Sequence, residues 1–215
     1  MKRYNLINNV LGWVVFLVAS IVYLLTAEPT ASWWDCGEYI ATADKLQVGH
    51  PPGAPTFQLI GSLFSNFAGR DVTKIAYTIN AMSAICSGFT ILFLFWSITM
   101  LAKKFVKKPE EMTTAQMIAI FGSGLVGSLA YAFSDTFWYS AVEGEVYAMS
   151  SCFTAIVFKE CLKYNIVPFI IEDDLKMFYY RGLKEWGNEK GYLTDTCLTA
   201  QDKYKTYLDY FRIAY

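Results

Sequence analysis

The 215-residue sequence predicts an all-α fold of polytopic membrane helices. It comprises three full spans plus a short fourth, an outer loop carrying interfacial helices, and a small soluble helical tail. Three observations predict this. Ile75 to Ala102 is an uncharged run of 28 residues, followed at once by Lys103, Lys104, Lys107 and Lys108. A helix that long and apolar, closed by a basic cluster, suits a bilayer. Two further apolar runs flank it. Charge is also unevenly spread: residues 1–157 hold 9 basic and 10 acidic side chains, whereas residues 158–215 hold 9 and 9 in about a third of the length. The first part reads as membrane, the second as soluble and helical. Net charge is near zero in both, which argues against a nucleic-acid partner.

The first span, Val10 to Ala27, has 18 residues, about 27 Å of helix against a hydrocarbon thickness of about 30 Å. Lys2 and Arg3 precede it as a secretory signal would have them. Ala27-Glu28-Pro29 is a poor cleavage context, so an uncleaved anchor is expected. The second span, Ile75 to Ala102, is long enough to tilt or protrude. The third, Ala115 to Phe133, carries Gly122, Gly124 and Gly127, which let helices approach closely. The fourth, Val146 to Phe158, has 13 residues, about 20 Å, and falls short of a full span before Lys159, Glu160 and Lys163.

Positive charge predicts sidedness. Lys2 and Arg3 flank the first span, and the four lysines lie between the second and third, so both clusters belong in the cytoplasm. The loop from Glu28 to Lys74 and the short turn from Ser134 to Glu145 then lie outside. That arrangement gathers Glu28, Asp35, Glu38, Asp44, Asp71, Asp135, Glu143 and Glu145 on one face, leaving Glu110 and Glu111 on the other. Any chemistry is expected on the acidic face.

In the outer loop, Trp33, Trp34 and Tyr39 suit the membrane interface. Asp35 and Glu38 are three apart, so they share a face if the segment is helical. Paired carboxylates there could hold a divalent cation or take a proton from an attacking hydroxyl. They could equally be solvated acids. His50 precedes Pro51-Pro52-Gly53, a rigid turn that aims it, and could also be only a turn residue or a local hydrogen-bond donor. Thr56 to Ala68 is too short to span and is expected along the interface. Glu143 and Glu145 follow Phe137-Trp138-Tyr139, whose aromatics read most simply as an interface belt. Five scattered cysteines argue for free thiols rather than a disulfide framework. With His50 the only histidine and no CxxC present, a zinc site is not expected and no dedicated metal site is assigned. Cys36 lacks a base to activate it and is set aside as a nucleophile.

Three stretches carry a family resemblance: Glu28-Pro-Thr-Ala-Ser-Trp-Trp-Asp-Cys-Gly-Glu-Tyr-Ile-Ala-Thr, Leu46-Gln-Val-Gly-His-Pro-Pro-Gly-Ala-Pro, and Phe137-Trp-Tyr-Ser-Ala-Val-Glu-Gly-Glu-Val-Tyr-Ala. On these, residues 1–157 resemble the amino-terminal part of the bacterial membrane proteins in domain-of-unknown-function family 2723. That family has an animal protein O-mannosyltransferase relative and is similar to GT-C glycosyltransferases. The resemblance implies a polyprenyl-phosphate sugar as donor, a protein acceptor, membrane lipid as surroundings and the bacterial inner membrane as location. It also implies that Asp35 is the acid of the first outer loop, with Glu38 beside it as a second catalytic candidate. His50, Glu143 and Glu145 become substrate-binding candidates. Complete members carry further helices, so weak or absent activity is expected of residues 1–157 as a truncated domain. No cofactor beyond a possible divalent cation is implied. For the leaving phosphate, the outer side offers Lys45, Arg70 and Lys74, none in a recognisable phosphate motif.

From Phe158 the pattern changes. Glu172 to Trp186 suits an amphipathic helix ending at Gly187, and Thr199 with Asp202 resembles a capping pair for a second. Residues 158–215 resemble the carboxy-terminal segment of Fic-domain proteins, which transfer AMP to hydroxyl groups. Their His-Pro-Phe…Gly-Asn-Gly-Arg loop has no counterpart in this sequence, and His50-Pro51 does not replace it, so AMP transfer is not expected. The two resemblances together imply a chimera joined near residue 158. A non-enzymatic membrane stub with an interaction tail is the alternative to a glycosyltransferase fragment.

Overall fold

The computed structural model describes residues 2–50, 53–69, 71–106 and 108–164. The chain divides into two compact units, Met1–Lys163 and Tyr164–Tyr215. The second falls outside the described residues apart from Tyr164, and with it the expected tail helices. Among the described residues the structure is all-helical: α1 (Lys2–Thr26), α2 (Cys36–Lys45), α3 (Pro55–Ser65), α4 (Ile75–Lys104), α5 (Thr114–Ala132), α6 (Asp135–Val142) and α7 (Val146–Lys163). Short 3-10 turns cover Asn66–Ala68, Val72–Lys74 and Pro109–Glu111.

Helix α1, the stretch Val72–Lys104 containing α4, and helix α5 are long and apolar enough to cross a membrane, as expected of the three spans. Helix α1 begins eight residues earlier than its apolar run, because Lys2 and Arg3 can leave the bilayer from a continuous helix. Helix α5 starts with a capping box: the Thr113 side chain accepts from the Gln116 backbone, and Gln116 Oε1 accepts from the Thr113 N–H. Helix α7 outlasts its apolar run and crosses residue 158 unbroken. Lys159 pairs with Glu160 and lies 5.9 Å from the Trp96 ring centre, so charges at that depth meet partners rather than lipid.

Helix α4 is the central rod, with Ile79, Met82, Ala84, Ile91, Leu92 and Phe95 all buried. It runs antiparallel to α1, since Tyr4 OH donates to the Thr99 carbonyl at one end and Tyr77 OH to the Leu24 carbonyl at the other. Small residues set the spacing. A Cβ on Gly12 would lie 2.4 Å from Trp96 Nε1, and one on Gly124 would lie 2.7 Å from Thr99 Cγ2. Gly124 thus does what its apolar context predicts; a Cβ on Gly122 would meet nothing within 4 Å. Tyr23, fully buried, donates to the Ala132 carbonyl at 2.8 Å and ties α1 to the end of α5.

The helix directions segregate charge. The start of α1, the ends of α4 and α7 and the start of α5 share one end, which carries Lys2, Arg3, Lys103, Lys104 and Lys163. Helices α2, α3 and α6 cap the other end, where the acids collect. Two local expectations are corrected there. The stretch from Ser134 to Glu145 is not a simple turn but contains α6. Phe137 is buried and Trp138 packs edge-on against Tyr23, so of the expected aromatic belt only Tyr139 is exposed; the side chains have gone to the core. Helix α3 leaves Leu59 and Leu63 exposed at i, i+4, with Phe67 and Val72 in the turns beyond, an apolar strip of the kind an interfacial helix presents.

Candidate functional site

The site is built on α2 and the segments that meet its first turn. Trp34, with φ of 63°, sits in the left-handed region that bulky residues rarely adopt, and this sharp turn delivers Asp35 to the head of α2. Asp35 occupies the N-cap position without a side-chain capping bond, so its carboxylate is free to point outward. One turn on, Glu38 shares its face, as the spacing predicts. Helix α2 ends at Leu46, also left-handed with φ of 49°, and the chain doubles back toward the helix start.

That return brings His50 to both acids. Its backbone N–H donates to Glu38 Oε1 at 2.7 Å, its Nδ1 lies 3.1 Å from Glu38 Oε2, and its Nε2 lies 3.8 Å from Asp35 Oδ2. The imidazole is thus set between two carboxylates. Gly49 permits the approach, because a Cβ there would stand 3.1 Å from Glu38 Oε1. The Gly53 N–H closes on the His50 carbonyl at 2.8 Å; Pro51 and Pro52, to which the aiming was attributed, lie outside the described residues. The bonds from the His50 backbone and then its ring hold the Glu38 carboxyl below its ordinary pKa. One ligand atom from each of Asp35, Glu38 and His50 falls within 4.8 Å of the others, so these three side chains could hold a metal ion. Sequence reasoning had paired only the two acids for that role.

Glu143 and Glu145 arrive from the α6–α7 connection. The Ser32 hydroxyl donates to Glu143 Oε2, and the Glu28 N–H bonds the Val142 carbonyl at 3.0 Å, stitching that connection to the outer loop. Glu145 is 8% exposed. Its carboxyl is raised above the ordinary value, first by burial and then by the charges of Glu143 and Asp35. All five sequence-predicted residues therefore gather at one end of the bundle. Tyr39, expected at the membrane interface, instead packs against His50 and Phe57, because α2 turns that face inward. Trp33 and Trp34 are exposed, as an interfacial role requires. Cys36 is fully buried at the start of α2 rather than held in a polar loop, and with Cys86, Cys152 and Cys161 it is a free thiol.

Sequence reasoning missed Asn80. It is fully buried on α4, and its Nδ2 donates to the Glu28 carbonyl at 2.6 Å and the Thr30 carbonyl at 3.0 Å. A Cβ on Gly144 would lie 2.7 Å from Asn80 Oδ1. One amide therefore sits between both acid-bearing segments. The signal was present: an amide inside a long uncharged run is costly in lipid and marks a function. Of the cations considered for a leaving phosphate, Lys45 pairs with Asp44 at 2.9 Å and Lys74 with Asp71 at 3.1 Å; Arg70 lies outside the described residues.

Comparison with known proteins places this geometry in context. Residues 35–169 match the family described as the protein O-mannosyl-transferase TMEM260 N-terminal domain. That match starts at Asp35 and passes beyond residue 158. The protein O-mannosyl-transferase tmem260 of Dictyostelium discoideum is 26% identical over 144 residues, 67% of this chain and 16% of the relative. The TMEM260 protein of Mus musculus is 24% identical over 143 residues, 66% of this chain and 18% of the relative. The chain thus spans less than a fifth of either relative's length. No solved structure matches it.

Proposed function

We propose, from a chain that belongs to the protein O-mannosyl-transferase TMEM260 N-terminal domain family, a role in transferring a sugar from a lipid-linked donor to a protein hydroxyl. The observation that carries the reading is the convergence of Asp35, Glu38, His50, Glu143 and Glu145 from three separate stretches. They meet at the acidic end of a membrane bundle, beside exposed tryptophans. The donor is a polyprenyl-phosphate sugar, a mannose by the names of the relatives, and the fold belongs with the GT-C type. The acidic end faces outward, away from the cytoplasm, and in a bacterium the membrane is the inner one.

In this reading the acceptor oxygen attacks the anomeric carbon. The bond from that carbon to the lipid phosphate oxygen breaks, and its electron pair leaves with the phosphate. Asp35 takes the proton of the acceptor hydroxyl. Glu38, kept ionised by His50, adds negative charge where the sugar develops positive charge. His50, Glu143 and Glu145 bind sugar hydroxyls in this proposal. The full activity of the much longer relatives, with their acceptors, belongs to this proposal too.

The test is sugar transfer from labelled polyprenyl-phosphate mannose in membranes containing the chain. Asp35→Asn is expected to lower transfer by about 100-fold or more, the scale of a lost general base. Asp44→Asn, which removes only the partner of Lys45, is expected to leave it unchanged. Undiminished transfer by Asp35→Asn overturns the assigned role.

A further inference from the structure

We propose that Asp35, Glu38 and His50 form a divalent-cation site whose imidazole ligand favours manganese-type transition-metal ions over Mg2+ and Ca2+. The inference deepens the transferase reading and rests on it only for what the bound ion would contact.

Three observations carry it. First, the ligand set is gathered by backbone as well as side chains. The His50 N–H bond to Glu38, the turn closed by Gly53 and the missing side chain at Gly49 hold the three groups together. Their ligand atoms, within 4.8 Å of one another on exposed side chains, can close on one ion by small rotations. Each imidazole nitrogen already faces a different carboxylate. Either nitrogen can therefore turn to an ion that both carboxylates ligate.

Second, Glu145, only 8% exposed, has its charged form disfavoured by burial and then by the negative charges of Glu143 and Asp35. A cation bound nearby would offset that repulsion and ease the cost of ionising a buried carboxyl. Third, two carboxylates face one imidazole, and among the described residues Lys45 and Lys74 are paired with other acids.

Two carboxylates and one imidazole select the ion. Oxygen ligands alone suit Mg2+, Ca2+ and Mn2+, whereas a nitrogen ligand shifts preference toward first-row transition metals. Such an ion would offer the departing lipid phosphate the positive charge that the described lysines do not.

The experiment titrates the purified chain in lipid nanodiscs with Mn2+ alone, reading the loss of free Mn2+ by electron paramagnetic resonance. Competition with Mg2+ and Ca2+ ranks the ions. One Mn2+ per chain is expected, bound about tenfold or more tighter than Mg2+. His50→Gln is expected to lose most of that preference, Asp35→Asn to weaken all ions by about tenfold or more, and Asp44→Asn to change nothing. The helical circular-dichroism signal verifies that each variant is folded. Absence of stoichiometric Mn2+ binding, or binding indifferent to both His50→Gln and Asp35→Asn, overturns the proposal. Because the ion is titrated without donor or acceptor, the result stands apart from the sugar-transfer assay.

Discussion

Glu38 and Glu145 are the same functional group pushed in opposite directions by what surrounds them. Glu38 accepts bonds from the His50 backbone and ring, which favour its charged form; Glu145 is buried against Glu143 and Asp35, which disfavour it. Linkage turns this into two separate pH windows on either side of their ordinary value of 4.5. A raised carboxyl means the folded state holds a proton that the unfolded state has released. Stability therefore falls as pH rises from 4.5 through the raised value of Glu145. The contribution of Glu38 has the opposite sign: it is full above 4.5 and is lost as pH falls through the lowered value. Glu145→Gln should therefore flatten the decline in thermal midpoint on the alkaline side of 4.5 and leave the acid side unchanged. A slope that persists in Glu145→Gln places the titration elsewhere. Of these two acids, their membership of the acidic face, the face Glu38 shares with Asp35 and their candidate site roles were legible beforehand. Spacing along the chain says nothing about burial, so the contrast between them needed the α6–α7 connection in place.

At the scale of elements, the site depends on how α4 grips two segments far apart in sequence. Asn80 bonds the Glu28 and Thr30 carbonyls, while Gly144 lies against its other side with no room for a side chain. Asn80→Ala leaves both carbonyls without that donor, a loss of about 1–3 kcal/mol for buried polar groups. Gly144→Ala forces a Cβ to 2.7 Å from Asn80 Oδ1 and to 3.2 Å from Ile40 and Ile79. Both variants are expected to lower the thermal midpoint and loosen the Asp35–Ser32–Glu143 region, read as faster proteolysis of the outer loop with the spans intact. Equal proteolysis of wild type and both variants argues against this clamp. The spans themselves were legible because apolar length is a strong signal and needs no tertiary context. Helices α2 and α6 were not, since each is short, polar in part and held by packing rather than propensity. Helix α7 shows the same limit at its far end. Apolar pattern marks where lipid exposure can stop, and the helix continues as long as Lys159 and Glu160 have each other and Trp96.

For the whole molecule, the proposed sugar transfer requires that the separation of charge between the two ends of the bundle set which side of the membrane the site faces. Tyr4 illustrates how the basic end is built: the Lys103 ammonium lies 5.0 Å from its ring centre while its hydroxyl reaches the Thr99 carbonyl. By the positive-inside rule, lysines at that end are expected to face the cytoplasm and the acids to lie on the opposite side. The native Cys36 cannot report on this, because it is wholly buried. Trp34 and Phe105 can, at 94% and 89% exposure on opposite ends of the molecule. In a cysteine-free background, Trp34→Cys is expected to react with a membrane-impermeant maleimide on intact cells, and Phe105→Cys only after the membrane is opened. The reverse pattern would put the carboxylates in the cytoplasm, where the positive-inside rule leaves no reason for the lysines to be opposite. Labelling of both positions on intact cells would mean that the bundle does not hold one orientation. Either result removes the outward site on which the sugar-transfer reading depends, while the cation affinity of Asp35, Glu38 and His50, set by local geometry, would survive it.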